Sequence, residues 1–306
     1  MKGLELARKY YEAYGAPMIA AQFGEYADRI ACGLAGEGSE CFGFDDEYSQ
    51  DHDFGPSFCM WLTDEDMQQI GGKLQPAYDS MPKSFRGFAP REESEGGAGR
   101  VGAQPTSLFY RKFTGLADVP KTLAEWRRIP EQFLAAATNG EVFADPLGNF
   151  TRIREGLLGF YPEDIRLKKI TARAATMGQA GQYNYMRCVR RGEYVAAHCA
   201  LAEFIRAACS ITYLLHKKYT PFYKWAHRGL RDLDPEMYGM LAGLCGETVE
   251  YDKNEKTIED ICLYVIIKLK EQQLSECQDN FMLEHCGHIM QKVCDPDIRA
   301  MHIMSE

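Results

Sequence analysis

The chain has 306 residues, 45% hydrophobic and 26% charged, with a formal net charge of −9; that suits two domains of an ordinary globular protein. The acidic balance argues against a broad nucleic-acid surface, which needs clustered Lys and Arg, and no apolar run reaches the length expected of a membrane span. The N-terminus is too charged for a signal peptide, and 11 cysteines without a Cys-x-x-Cys pair read as reduced thiols, so a cytoplasmic location is expected.

Leu4, Ala7, Tyr11 and Tyr14 recur at helical spacing until Gly15-Ala16-Pro17, and a second short helix is expected from Pro17 to about Phe23. Ile30 to Ala35 is short and apolar enough for a buried strand. Gly36-Glu37-Gly38-Ser39 follows, then eleven residues, then Asp51-His52-Asp53 at the head of a second predicted strand running to Leu62. On a strand, residues i and i+2 share a face, so Asp51 and Asp53 would present two carboxylates side by side. Like charges that close call for a cation, and hard oxygen ligands suit Mg²⁺. Gly38 and Ser39 would free backbone N–H groups and a hydroxyl for phosphate oxygens. Phosphate grip and paired metal carboxylates together equip a site for phosphoryl or nucleotidyl transfer.

Thr63 caps a helix carrying Met67, Ile70 and Leu74 on one face, and residues 82–102 read as an irregular surface loop. Thr122 to Glu125 has the form of a capping box. A helix from Glu131 to Thr138 stops at Asn139-Gly140, and Glu141 to Ala144 is a short strand leading into the turn at Asp145. Tyr161-Pro162-Glu163-Asp164 opens the first of a series of helices with almost no strand signal after it. Their expected buried faces are Val195, Cys199, Ala202, Ile205, Cys209 and Thr212; Ile258, Ile261, Cys262, Val265 and Leu269; and Met282, Cys286, Ile289 and Val293. His285-Cys286-Gly287-His288 reads as core packing and not a zinc site, since tight Cys-x-x-Cys pairs are missing. The chain holds neither a Gly-x-Ser-x-Gly elbow nor a Walker-type Gly-Lys-Ser/Thr.

The spacing of Gly38-Ser39 and Asp51-x-Asp53 resembles the signature of the polymerase-β-like nucleotidyltransferase superfamily. Together with Gly140-Glu141-Val142-Phe143-Ala144-Asp145-Pro146-Leu147-Gly148 and Tyr219-Thr220-Pro221-Phe222-Tyr223-Lys224-Trp225, it is similar to a bacterial family of unassigned function with a nucleotidyltransferase core and a helical C-terminal half, distantly like the aminoglycoside nucleotidyltransferases. The resemblance implies an α+β fold, a nucleotidyltransferase-type mixed sheet with flanking helices over residues 1–160, followed by an all-helical bundle domain over 161–306. It implies a Mg²⁺-dependent transfer of a nucleoside monophosphate from a nucleoside triphosphate to a hydroxyl of a small-molecule or protein acceptor, while the charge and the lack of a long apolar run lead to an expectation of no extended nucleic acid and no membrane as partners. Asp51 and Asp53 would hold the metal, and Gly38 and Ser39 the terminal phosphates. Relatives carry a third carboxylate on a later strand. Val101 to Pro105 contains no acid, which leaves Asp145 as the nearest alternative for metal or base. The helical half of such proteins lends cations to the triphosphate across a cleft, and Lys224, then Lys218, are the candidates. The missing third acid supports an alternative, a nucleotide-binding regulatory protein without turnover.

Overall fold

The computed structural model describes residues 1–50, 53–92, 94, 99–246 and 250–305. In chain order the elements are α1 (Gly3–Tyr10), continued by a wide turn over Tyr11–Gly15 into α2 (Ala16–Gln22), β1 (Ala31–Leu34), β2 (Cys59–Leu62), α3 (Asp64–Asp79), β3 (Gly102–Pro105) and α4 (Thr106–Thr114). Then come α5 (Leu123–Arg128), α6 (Glu131–Thr138), β4 (Glu141–Ala144), α7 (Asn149–Leu158) and α8 (Glu163–Thr176). The remaining helices are α9 (Met186–Arg190), α10 (Tyr194–Leu215), α11 (Tyr223–Leu233), α12 (Pro235–Gly243), α13 (Tyr251–Glu271), α14 (Met282–Gln291) and α15 (Pro296–Arg299). Two compact units result: Met1–Pro120 with Phe133–Gly159, and Lys121–Gln132 with Phe160–Glu306. The segment 121–132, read from sequence as part of the first domain, belongs to the helical unit.

The first unit is an α+β arrangement around a four-stranded mixed sheet of order β3-β2-β1-β4. β1 is antiparallel to β2 and to β4, while β2 and β3 run parallel. Apolar side chains leave both faces of this sheet, so helices cover both. Cys32, Met60 and Leu62 join Tyr10, Phe58, Ile70, Leu74 and Tyr78 in one core. On the other face Trp61 stacks on Phe150 with ring centroids 3.8 Å apart, and Phe109 meets Trp61 edge-on at 5.4 Å. Gly33 permits this packing, because a Cβ there would collide with the Trp61 ring and the Glu141 carbonyl.

The expected helix starts follow from their caps. Thr63 Oγ1 accepts from the Asp66 N–H, and Thr122 and Glu125 form a reciprocal capping box. The faces expected for α13 and α14 are buried. The face expected for α10 is buried only toward its C-terminal end, at Cys209 and Thr212; Val195, Cys199 and Ala202 are exposed, and Ala197, Leu201 and Phe204 are buried there instead. This helix is apolar on most sides, so spacing alone does not select a face. Phe204 does, because its ring lies where Gly181 has no side chain. By length and composition α10 could cross a membrane, but 50% of its apolar window is buried inside the protein.

Candidate functional site

The turn after β1 is built on glycine backbone. Gly36 has φ +113° and Gly38 φ +117°, a region that side-chain-bearing residues enter only with strain. Asn139 anchors the turn: Gly36 N–H donates to Asn139 Oδ1 at 2.8 Å, and Asn139 Nδ2 donates to the Gly36 carbonyl at 2.7 Å. Gly140 N–H donates to the Cys41 carbonyl at 2.8 Å, tying the turn to the start of β4. Ser39 precedes a single helical turn, Glu40–Phe42. Glu40 is buried and its carboxylate folds back over Gly38, where a Cβ would stand 2.5 Å from Oε2. Burial raises the Glu40 pKa above the usual carboxylate range, although Arg91 Nη1 lies 3.6 Å away and opposes the shift.

Asp53 is not on a strand. It occupies a bend with φ +53°, ahead of β2, which begins only at Cys59. A short polar side chain tolerates that left-handed backbone, and its N–H donates to the Glu92 carbonyl at 2.8 Å. The buried carboxylate accepts from Ser94 N–H at 3.1 Å, from Ser94 Oγ at 2.6 Å and from Arg100 Nη1 at 3.3 Å. Burial alone would raise its pKa; the Ser94 hydrogen bonds and the charges of Arg100 and Arg91 outweigh it and hold the carboxyl below its ordinary value. Arg100 Nε also reaches Glu37 Oε2 at 3.4 Å, to which Lys112 donates at 2.7 Å. One guanidinium therefore stands between two carboxylates. Asp51 lies outside the described residues, so the proposed pair is described only through Asp53. Among the described residues no three His, Cys, Asp or Glu side chains are grouped to share a metal ion.

Asp145 is at the wrong end of the sheet for a third acid at this site. Ala144 pairs with Cys32 near the start of β1, whereas Gly33 pairs with Cys59 at the start of β2, and Cys59 Sγ donates to the Arg100 carbonyl. Asp53, Arg100 and the glycine turn gather where β1 ends and β2 and β3 begin. Asp145 follows the last residue of β4, beside the start of β1, two to three residues or about 7–10 Å along the strands from that end. Its carboxylate instead accepts from Thr151 N–H at 2.7 Å, a cap on α7.

The two predicted lysines of the helical unit are solvent-exposed. Lys218 belongs to the turn that closes α10, its N–H donating to the Tyr213 carbonyl at 2.9 Å. Lys224 Nζ itself lies over the Trp225 ring, 5.2 Å from its centre, a cation–π contact at the surface. Among the cations that line cavities in this unit are Lys169, Arg173 and Arg206, which sequence reasoning missed. Their available signal was the spacing of Lys169, Arg173 and Thr176 along one side of α8. Around Asp53, the missed residues are Ser94, Arg91, Arg100 and Asn139, none of which carries a local pattern.

The family described as a domain of unknown function (DUF4037) matches residues 126–226, about a third of the chain. No curated protein matches. Among solved structures, a nucleotidyltransferase-like protein from Exiguobacterium sibiricum 255-15 is similar at 11% identity over 91% of this chain and 80% of that one, with a TM-score of 0.38. A likeness of that size carries no conclusion about fold or chemistry.

Proposed function

We infer that this protein binds a nucleoside triphosphate through the first unit, at the sheet end where β1 finishes and β2 and β3 start. The observation that supports the reading is the Gly36–Ser39 turn with Glu40 folded onto it. The missing side chain of Gly38 leaves room there for a carboxyl group from within the chain, with Arg91 3.6 Å from it. Arg100 and Lys112 bring further positive charge through Glu37. A phosphate group carries the same kind of oxygen and more charge, and would compete with Glu40 for this place.

Binding without turnover is favoured by two features: Arg100 occupies the Asp53 carboxylate, and the Asp145 carboxylate is engaged by Thr151 N–H on α7. The second reading, Mg²⁺-dependent transfer of a nucleoside monophosphate to a hydroxyl of a small molecule or protein, is favoured by the retained Asp51-x-Asp53 pair. In it Asp51 and Asp53 would hold Mg²⁺ once Arg100 withdraws. The acceptor oxygen would then bond to the α-phosphorus as pyrophosphate leaves, and the acceptor's proton would pass to solvent.

Thermal unfolding with ATP, with and without Mg²⁺, separates the two readings. Binding predicts stabilisation by the nucleotide that Gly38→Ala abolishes. Transfer predicts in addition a metal-dependent part lost in Asp53→Asn, with pyrophosphate released in the presence of an acceptor pool. Absence of stabilisation by any of the four common nucleoside triphosphates would refute both.

A further inference from the structure

The helical unit contains a cavity of about 450 Å³ that the nucleotide reading does not use. Lys169, Arg173 and Thr176 fall at i, i+4 and i+7 of α8, so one helix side supplies all three to its wall. Glu131, at the start of α6, completes the floor with Ser210 and Thr220. The Glu131 carboxylate is 8% exposed. It accepts from Arg173 Nη2 at 3.0 Å, Ser210 Oγ at 3.0 Å and Thr220 Oγ1 at 2.6 Å, with Lys169 Nζ 3.8 Å away. A carboxylate offers about four acceptor sites, so these partners nearly exhaust it. Its role in the wall is to hold the two α8 cations in position.

At the mouth, Arg206 lies 3.4 Å from Glu203, both largely exposed. Arg173 Nε donates to Ser210 Oγ at 2.7 Å, fixing the guanidinium plane. Lys169 and Arg173 make further contacts as well. Both line a space large enough for a small molecule, Lys169 as a buried side chain and Arg173 partly exposed. The wall around that space therefore offers an ammonium, two guanidiniums and hydroxyls, while its inner carboxylate is already engaged. Such a lining complements negative oxygen atoms. The DUF4037 match, 126–226, contains each of the charged residues named here.

We propose that this cavity binds the oxyanion group of a small molecule, a carboxylate or a phosphate monoester, with Lys169 and Arg173 contacting the oxygens and Arg206 at the entrance. The site lies wholly in the helical unit and makes no use of Gly38, Ser39 or Asp53.

Calorimetric titration of the full chain with inorganic phosphate, and separately with acetate, tests it in low-salt buffer free of nucleotide and magnesium. Saturable binding of either anion is expected, and the one that binds more tightly identifies the group. Lys169→Met, close in length but uncharged, should weaken that binding by about tenfold, the loss of one charge-assisted contact. Should Lys169→Met not fold, Arg206→Gln, on an exposed side chain, should still weaken it several-fold. No binding of either anion, or binding that survives these substitutions unchanged, overturns the proposal. Neither result bears on the nucleotide reading, which is tested at other residues with other ligands.

Discussion

Three glycines of the first unit share a positive φ but differ in what surrounds them, and alanine at each should separate backbone strain from the cost of displacing neighbours. Gly43 has φ +70° and no atom within 4 Å of a built Cβ. Left-handed backbone costs an alanine about 1–2 kcal/mol, less about 0.4–1 kcal/mol regained by restricting the unfolded chain, so Gly43→Ala should cost about 1 kcal/mol. Gly38 has φ +117°, where strain is about 1–3 kcal/mol. Its methyl would also push the Glu40 carboxylate off its place beside Arg91, at about 1–3 kcal/mol for a disturbed buried charged contact, for a net cost of about 3 kcal/mol. Gly140, at φ +68°, would drive a methyl into the Leu34 backbone carbonyl at the end of β1, and backbone cannot swing aside as a carboxylate can. Gly140→Ala should be the most damaging. Urea unfolding followed by fluorescence, with buried Trp61 reporting this unit, gives the midpoints. Equal losses for Gly38→Ala and Gly43→Ala would refute the claim that Glu40 rests on Gly38.

Asp145→Asn should cost about 0.5–1 kcal/mol as a weakened cap on α7 and leave nucleotide stabilisation unchanged, measured by thermal unfolding with and without ATP; a selective loss of turnover would restore it as a catalytic acid. Lys224→Ala should change stability by less than about 0.5 kcal/mol, as exposed substitutions usually do, and should not discriminate triphosphate from monophosphate in a binding titration. Burial lowers the Lys168 pKa to about 8, with its Nζ 3.0 Å from the Ile303 carbonyl, against about 10.4 when unfolded. Between these values the unfolded chain binds the extra proton, so this group's contribution makes stability rise with pH from about 8 to 10. Chemical unfolding across that range should show the rise in wild type and its loss in Lys168→Met.

What the sequence revealed was local. The Thr122–Glu125 box, the stop at Gly140 and strand β4 each follow from a few adjacent residues whose chemistry permits little else. The short strands β1 and β2 were legible as apolar runs, but the start of β2 was not. Extending it back to Asp51 assumed that alternating spacing meant an extended chain, whereas Asp53 occupies a bend and Phe54, Pro56, Ser57 and Phe58 are all buried without strand pairing. An i, i+2 carboxylate pattern does not distinguish a strand from a bend when its partners come from elsewhere.

Those partners are where sequence reading gave out. Asp53 is held by Ser94 and Arg100, more than forty residues away, and Gly36 by Asn139, more than a hundred away. A carboxylate's chemistry depends on whether its nearest cation is a metal or a guanidinium, and that choice is made by the fold. Arg100 is the more telling case because it joins Asp53 to Glu37 and so already neutralises one of the two proposed metal carboxylates. If Mg²⁺ is to bind there it must outcompete a tethered cation whose effective concentration is high. Metal affinity should then be weak in the free protein and rise when a nucleotide's phosphates draw the arginine away. Arg100→Met tests this directly: calorimetry should show tighter Mg²⁺ binding without nucleotide than in wild type. Unchanged affinity in that variant would mean that Arg100 and the metal do not share a place, and would leave the arginine a purely structural tie between two acids.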